Sequence, residues 1–274
     1  MSNERRDLAL AARMPSLDPV WSKVREEAET VVATEPALAS FVYSTILNHL
    51  SLNEAVADRI SSRLDHDAVG AELIRRAFDD LFVARPVTAE EIRADLVAVF
   101  DRDPACDRMI EPVLYFKGFH AIQAHRLAHW LWYEGRRDFA LYLQSIVSTR
   151  FQVDIHPAVP MGRGIFMDHA TGIVIGATAT LGDDVSILQG VTLGGTGKEG
   201  GDRHPKIGRG VLIGAGAKIL GNIEIGHCSR IASGSVVLKP VPPNVTVAGV
   251  PARVVGEAGC SEPSRSMNQS IADD

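Results

Sequence analysis

The chain has 274 residues, of which 46% are hydrophobic and 23% charged, and its formal net charge at pH 7 is −6. These values are typical of a globular protein and exclude the disordered, collagen-like and polyelectrolyte classes. At about 150 residues per domain, the length favours two domains. No run approaches the roughly 20 apolar residues of a membrane span, and the acidic charge gives no basic field for a phosphate backbone. We therefore expect a protein that binds neither membrane nor nucleic acid.

The N-terminus and the cysteines indicate a cytoplasmic location. The first 14 residues carry charges and are not followed by the apolar stretch of a signal peptide. Cys106, Cys228 and Cys260 lie far apart and form no CxxC pair. This spacing argues against both a disulfide framework and a thiolate zinc site, and it fits a reducing compartment.

Glycine and aromatic residues divide the chain near residue 150. Only 3 of the 24 glycines precede residue 151, whereas 15 of the 16 aromatic residues lie at or before Phe151. We predict one domain over residues 1–150 and a second domain of different architecture over residues 151–256. The polar residues 257–274 are predicted to form a disordered tail.

The first half has the start signals and the apolar spacing of helices. Asp18 before Pro19 predicts an N-cap with proline at the first helical position. Thr88 and Glu91 have the spacing of a capping box, which predicts the start of a second helix. From residue 112 to about 151, apolar residues recur at helical spacings. This half is therefore predicted to be all α.

After Phe151 the apolar residues recur every six positions, a period that neither helices nor simple strands have. A hexapeptide repeat is typical of a parallel β-helix, in which three hexads make one 18-residue coil and the aliphatic side chains point inward. The predicted fold class is α+β, an all-α N-terminal domain followed by a parallel β-helix. The hexad positions are Ile155, Met161, Met167, Ile173, Ala179, Val185, Val191, Ile207, Ile213, Ile219, Ile225, Ile231 and Val237.

One interruption of the repeat predicts an extruded loop. Val191 and Ile207 are 16 residues apart, which is not a multiple of six. The segment 193–205 must therefore leave the coil, and five of its residues are glycines. Long loops without secondary structure of their own are often functional.

Three polar motifs lie on and beside this repeat: DIHP at 154–157, DHATG at 168–172 and GGDRHPKI at 200–207. Together with the hexads and the helical segment LYFKGFHAIQAHRLAHWLW, they resemble the serine acetyltransferase family of the hexapeptide-repeat acyltransferase superfamily. The resemblance covers about residues 18–257. It implies a left-handed β-helix and an acetyl-CoA-dependent serine O-acetyltransferase, which transfers acetyl to the hydroxyl of L-serine and releases O-acetyl-L-serine and CoA in cysteine biosynthesis.

This reaction needs a base, because a serine hydroxyl is too weak an acid to ionise at pH 7. With about 4.8 Å between stacked strands, Asp154 and His169 can lie on neighbouring coils within a side chain's reach. The resemblance implies that His169 is the base and that Asp154 orients it. It also implies that Asp103 and Asp168 bind the amino group of serine. Arg203 and His204 are implied to bind its carboxylate. Arg203 suits a carboxylate because its planar guanidinium can bind it bidentately.

The resemblance further implies partners and a place for acetyl-CoA. The CoA arm is expected along the outside of the β-helix, against the small residues Gly195, Ala215 and Ser233. We expect a homotrimer, and two such trimers are expected to join into a hexamer through the oligomerisation domain, residues 1–150. Residues 151–256 are then the catalytic domain. L-cysteine is expected to be a feedback inhibitor. Many family members end in an isoleucine that enters O-acetylserine sulfhydrylase; this sequence ends in Asp274, so that complex is not expected.

Other interpretations remain open from the sequence. His156, His169 and His204 supply the three histidines of a hexapeptide-repeat zinc lyase of the gamma carbonic anhydrase type, although no metal is expected here. His125 and His129 have the i, i+4 spacing of metal ligands, but residue 126 is arginine and not the glutamate of an HExxH site. A role on a helix face is favoured for that pair. Acetyl transfer to homoserine or a sugar, and a β-helix used only as an assembly scaffold, are further alternatives.

Overall fold

A computed structural model describes residues 18–197 and 200–270 of the chain. Its first part is helical, as predicted. A 3₁₀ turn, Pro36–Leu38, and a π-helical turn, Tyr43–Leu47, flank the short helix α2. The helices are α1 Pro19–Thr34, α2 Ala39–Val42, α3 Leu52–Arg63, α4 Ala71–Ala84, α5 Thr88–Arg102, α6 Ile110–Leu114, α7 Lys117–Tyr133, α8 Arg137–Phe151 and, far along the chain, α9 Pro263–Ser266.

No single helix among the described residues is both long and apolar enough to span a membrane; only α1 and the segment Pro36–Leu47, which meet at an angle of 119°, reach that length together. The helical part packs instead around its own apolar side chains. Phe78, Phe119 and Phe151 are among its largest fully buried residues.

The two predicted helix starts differ in how they are capped. The carboxylate of Asp18 accepts hydrogen bonds from the backbone N–H groups of Val20 and Trp21, as an N-cap does. The capping box predicted for α5 is wrong, because the Thr88 hydroxyl is buried without a partner among the described residues. The Glu91 carboxylate is drawn instead to the buried guanidinium of Arg126, at 3.3 Å.

Short parallel strands follow α8 and fall into three sheets. Sheet I has the order β1-β3-β6-β9-β12, sheet II β4-β7-β10, and sheet III β2-β5-β8-β11-β13-β14. The strands are β1 Val153–Ile155, β2 Phe166–Met167, β3 Ile173–Ile175, β4 Thr180–Leu181, β5 Ser186–Ile187, β6 Thr192–Gly194, β7 Lys206–Ile207, β8 Leu212–Ile213, β9 Lys218–Leu220, β10 Glu224–Ile225, β11 Arg230–Ile231, β12 Val236–Val237, β13 Val245–Gly249 and β14 Ala252–Glu257.

Successive strands move from sheet to sheet, so that each turn of the chain lays one strand on each sheet, as a parallel β-helix does. Twelve of the thirteen predicted hexad positions are buried, and Met161 is half-buried. Among the strands of the described residues, only β14 breaks the parallel pattern, because it returns antiparallel to β13 at the end of the coil. The apolar hexads therefore form the interior of the prism.

The strand register shows a second interruption of the repeat, which the spacing of apolar residues in the sequence does not reveal. Ile155 pairs with Ile175, and Met167 pairs with Ile187, so the first coil is two residues longer than the predicted 18. The additional residues lie between Met167 and β3. Four predicted hexad residues are therefore buried but lie two positions before the strand residues that stack between coils, which are Ile175, Leu181, Ile187 and Leu193. The four are Ile173, Ala179, Val185 and Val191.

Helix α7 is attached to the first coil through its histidines. The Nε2 atom of His125 lies 2.9 Å from the carbonyl oxygen of Val159, and the Nδ1 atom of His129 lies 2.8 Å from that of Pro157. Since a carbonyl oxygen only accepts, both ring nitrogens donate. The i, i+4 spacing thus serves a helix face that packs against the coil.

The C-terminal segment differs from the predicted disordered tail. Residues 257–270 lie along sheet III, where the Ser186 hydroxyl donates to the carbonyl oxygen of Ser264 at 2.7 Å and Arg230 donates to that of Asn268 at 2.9 Å. Composition alone did not indicate these contacts, since they use backbone carbonyls. Residues 271–274, on which the expectation about the sulfhydrylase complex depends, lie outside the described residues, as do residues 1–17.

We predict that the helical part loses stability in acid through two buried histidines. Burial lowers the pKa of both His120 and His125 to about 3, from 6.5 in an unfolded chain. Between these values the unfolded chain binds more protons, so the free energy of unfolding should fall as the pH drops below about 6.5. The slope should be up to about 1.4 kcal/mol per pH unit for each histidine.

Urea denaturation between pH 7.5 and pH 5 measures this slope. His125→Gln keeps a donor for the carbonyl of Val159 but does not titrate, so its slope should be smaller. His227→Gln, at an exposed histidine, is the matched control and should leave the slope unchanged. A His125→Gln slope equal to that of the unmodified chain would contradict the prediction.

Candidate active site

His169 lies at the turn between β2 of sheet III and β3 of sheet I, which we call corner III/I. The two additional residues of the first coil are in this turn. His169 and Ala170 have φ angles of +53° and +60°, a left-handed conformation that non-glycine residues seldom adopt. The His169 side chain is 75% exposed, and its Nε2 atom lies 3.8 Å from Oδ1 of Asp168. The turn therefore presents the imidazole to solvent, outside the coil.

Two carboxylates accompany this imidazole. Asp168 precedes it, and Asp103 follows the end of α5, where its carboxylate accepts a hydrogen bond from the N–H of Ala105 at 2.9 Å. Burial raises the pKa of Asp168, His169 opposes that rise, and the negative charge of Asp103 adds to it. Asp103, Asp168 and His169 thus share one electrostatic environment. Two carboxylates close together, one of them partly desolvated, favour a cationic partner such as an ammonium group.

Asp154 lies on the outer side of β1. Its Oδ1 atom accepts a hydrogen bond of 2.7 Å from Nε2 of Gln144 on α8, a residue that the sequence analysis did not identify. Within the described part of the chain, Asp154 and His169 are not hydrogen-bonded to each other. Burial lowers the pKa of the nearby His156, and the charge of Asp154 opposes that change.

Arg203 and His204 lie at the other end of the sheet I strands, at the turn into sheet II that we call corner I/II. The loop 195–205 joins β6 to β7 there. The hydroxyl of Thr178 accepts the backbone N–H of Arg203 at 3.0 Å and that of His204 at 3.1 Å, and so holds the end of the loop on the coil. Thr178 carries no signal in the sequence, because its role depends on a contact across 26 residues.

The ring of His204 is buried in a single tautomer. The backbone N–H of Thr178 points to Nδ1 at 3.2 Å, so Nδ1 is an acceptor and Nε2 carries the hydrogen. Burial lowers the pKa of His204, and the charge of Arg203 lowers it further. The ring occupies the space beside Gly176, since a Cβ atom there would lie 2.1 Å from Nε2. His204 therefore offers a neutral N–H donor.

The residues expected to contact CoA divide between the same two corners. Ala215 and Ser233 stack at corner III/I, where the N–H of Gly234 donates to the carbonyl oxygen of Ala215 at 2.8 Å. Gly195 lies in the loop of corner I/II, with the Arg203 side chain 3.2 Å from the place its Cβ would take. The hydroxyl of Ser233 is 3.1 Å from Oε1 of Gln269, so the tail reaches this surface.

One chain consequently brings together some of the predicted residues and separates others. Asp103, Asp168 and His169 meet at corner III/I, whereas Arg203 and His204 lie across the width of sheet I. His156, whose charge also affects His204, is on the side of corner I/II. Among the described residues no group of three or more histidine, cysteine, aspartate or glutamate side chains is arranged to hold a metal ion. The three histidines of the zinc interpretation are thus not gathered within one chain.

The stacked hexads make the chain a hexapeptide-repeat protein, and the family models identify the class as hexapeptide-repeat transferases. Two family models match the chain, "Serine acetyltransferase, N-terminal" over residues 20–124 and "Bacterial transferase hexapeptide (six repeats)" over residues 204–239. The first covers much of the helical part, and the second covers coils that follow the loop.

Relatives of known identity match nearly the whole chain. The serine acetyltransferase of Escherichia coli K12 is 54% identical over 92% of this chain and 93% of its own. The crystal structure of serine acetyltransferase from Brucella abortus in complex with coenzyme A is 62% identical, with a TM-score of 0.88 over 89% of this chain and 98% of that one. Soybean serine acetyltransferase complexed with serine is 51% identical, with a TM-score of 0.84 over 86% and 97%.

The chain belongs to the serine acetyltransferase family. The resemblance stated from the motifs is thereby confirmed. Acetyl transfer to other hydroxyl acceptors and the zinc lyase are not favoured by these relatives, and neither is a scaffold without activity.

We predict that Gly176→Ala displaces the His204 ring without unfolding the coil. Gly176 has no positive φ angle, so alanine fits its backbone, but the new Cβ cannot coexist with the ring at 2.1 Å. If Nε2 of His204 donates to a charged group of the substrate, kcat/KM for serine should fall about tenfold to a hundredfold, close to the effect of His204→Ala, because that hydrogen bond would be lost.

Thermal denaturation and steady-state kinetics of the same preparations test this prediction. Gly256→Ala is the matched control, since a Cβ at that glycine meets no atom within 4 Å. Full activity of Gly176→Ala would show that the position of the His204 ring is unimportant for the reaction.

Proposed function

We propose that His169 is the general base of serine O-acetylation in this chain and that Asp154 orients it. The enzyme transfers the acetyl group of acetyl-CoA to the hydroxyl of L-serine and gives O-acetyl-L-serine and CoA, the activating step of cysteine biosynthesis. The observation that carries the residue assignment is the exposed imidazole of His169, held in a left-handed turn beside two carboxylates.

The chemical steps need one base and a place for one proton. Neutral His169 accepts the proton of the serine hydroxyl while its oxygen attacks the thioester carbonyl carbon. The tetrahedral intermediate collapses, the carbon–sulfur bond breaks, and the imidazolium returns the proton to the departing CoA thiolate. The carboxylate of Asp154 stabilises the imidazolium between these steps and fixes the tautomer of the ring.

The charges of the site fit an α-amino acid. Asp103 and Asp168 are proposed to hold the ammonium group of serine, whose positive charge compensates the partly desolvated pair. Arg203 and the Nε2–H of His204 are proposed to bind its carboxylate, as two donors that together orient the substrate. A sugar acceptor offers neither charge, so this arrangement supports serine over sugars.

The two sets of residues are proposed to meet between neighbouring chains of a trimer. Each chain is proposed to be a left-handed β-helix with the loop 195–205 extruded from the coil. The loop starts two residues later than the sequence predicts, because Leu193 and Gly194 still pair with neighbouring strands of sheet I. Corner III/I and corner I/II lie at opposite ends of the strands of sheet I, so within one chain the two sets of residues are separated by the width of that sheet. A neighbour that supplies its own corner I/II would place Arg203 and His204 opposite His169. The CoA arm would then lie between Ala215 and Ser233 of one chain and Gly195 of the next.

The helical domains are proposed to pair two such trimers into a hexamer. This proposal is supported by the large apolar side chains within residues 18–110 that stay at least 38% exposed, because such surface can be buried between chains. They are Leu38, Tyr43, Leu50, Leu73, Val83 and Val87. We further propose a cytoplasmic enzyme that L-cysteine inhibits, because cysteine carries the same ammonium and carboxylate groups as serine.

The proposed roles of the base and its partner predict a ranking of two variants. His169→Ala should lower kcat by about 10² to 10⁴-fold, since no other group takes the hydroxyl proton. Asp154→Asn should have a smaller effect if Asp154 only orients the ring. The reaction is followed by release of the CoA thiol, and His227→Ala at an exposed histidine is the control. A larger loss in Asp154→Asn than in His169→Ala would reverse the two roles.

A shared site predicts complementation between two inactive variants. His169→Ala chains and Arg203→Ala chains are mixed under conditions that allow subunits to exchange. Some interfaces then combine an intact His169 with an intact Arg203, and serine-dependent thiol release should partly return. If exchange is demonstrated by mixed-label trimers and activity stays absent, each site lies within a single chain.

A further inference from the structure

Gln144 connects the helical domain to a residue of the proposed dyad. Its Nε2 atom donates a hydrogen bond of 2.7 Å to Oδ1 of Asp154. The amide nitrogen must face Asp154, because an ionised carboxylate accepts hydrogen bonds and cannot donate one. Among the described residues, Oδ2 of Asp154 accepts no hydrogen bond. One carboxylate oxygen is therefore held, and the other is left for a second partner.

The backbone around Gln144 fixes this contact. Helix α8 buries Leu143 and Val147 on either side of Gln144 along the chain, and it ends at Phe151. Gln152, with a φ angle of +60°, is the single residue between that helix and β1, where Asp154 lies. The separation between Gln144 and Asp154 thus depends on a packed helix and one turn residue, and little freedom remains between them.

We propose that Gln144 is a positioning residue for the reaction, which holds Oδ1 of Asp154 so that Oδ2 is directed to His169. The inference rests on the proposed dyad. A neutral amide suits this role, because it orients the carboxylate without neutralising the charge that the imidazolium needs. The last helix of the helical domain is then part of the catalytic apparatus, although it contacts neither substrate.

The alternative is that Gln144 only stabilises the junction of α8 and β1. The two roles differ in what they change. Loss of a purely structural bond lowers the denaturation temperature and leaves the kinetics of the folded fraction intact. Loss of the orientation of Asp154 changes kcat and the response of the reaction to pH, because an imidazole without its carboxylate protonates less readily.

The test compares Gln144→Leu, which keeps the bulk and removes the donor, with Ser145→Ala. Ser145 is the next residue of α8, is exposed and lines the same cleft beside Asp154. In the full-length enzyme, Gln144→Leu should lower kcat about tenfold to a hundredfold while KM for serine and acetyl-CoA changes less than about threefold. The acidic limb of kcat/KM should shift to lower pH. Ser145→Ala should match the unmodified enzyme in all three.

The double variant Gln144→Leu, Asp154→Asn separates the inference from the proposed function. If Gln144 acts through Asp154, Gln144→Leu should cause no further loss in the Asp154→Asn background. An equal loss in both backgrounds, or an unshifted acidic limb, overturns the role of Gln144 and leaves the dyad in place. Full activity of Asp154→Asn alone overturns the dyad instead.

Discussion

The stacking of aliphatic hexads is the constraint on which the site depends. Each inward side chain rests on one from the previous coil, as Ile187 rests on Met167 and Ile213 on Ile187, so the strands cannot shift without opening the core. Additional residues are tolerated only at the corners. The first coil has two at the turn that carries His169, and the loop that carries His204 enters at another corner. The chemistry is therefore placed where the repeat is broken.

The repeat also fixes how far apart these corners are. Sheet I separates corner III/I from corner I/II in every coil, because its strands run from one corner to the other. The proposed trimer would overcome this separation, because neighbouring chains would turn different corners toward each other. The same separation holds for Ala215, at corner III/I, and Gly195, at corner I/II. Oligomerisation in this proposal completes the site and is more than a source of stability.

The sequence predicted the helical half, the coil and the loop because each has a periodicity or a break that a single chain reveals. It missed features that depend on competition between contacts. Glu91 does not form the capping box because it pairs with Arg126, which is buried between α5 and the coil. A buried guanidinium without carboxylate partners costs more free energy than an unfilled helix cap. The longer first coil is hidden in the sequence because two aliphatic series of period six follow Met167, one beginning at Ile173 and one at Ile175, and only the strand register selects the second. The tail residues 257–270 contact sheet III through backbone carbonyl oxygens, and amino-acid composition does not predict such contacts.

The helical domain contributes to the site as directly as the coil does. Arg102, at the end of α5, is 5% exposed and donates to the Ser186 hydroxyl at 3.1 Å and to the Asp184 carboxylate at 2.9 Å, both on the coil. A buried guanidinium without these partners would be strongly destabilising, so this contact holds the C-terminal end of α5 against the coil. Asp103 is the next residue, and its position near Asp168 follows from that anchor. The proposed ammonium site is thus set by a contact between the two domains, and its geometry belongs to neither domain alone.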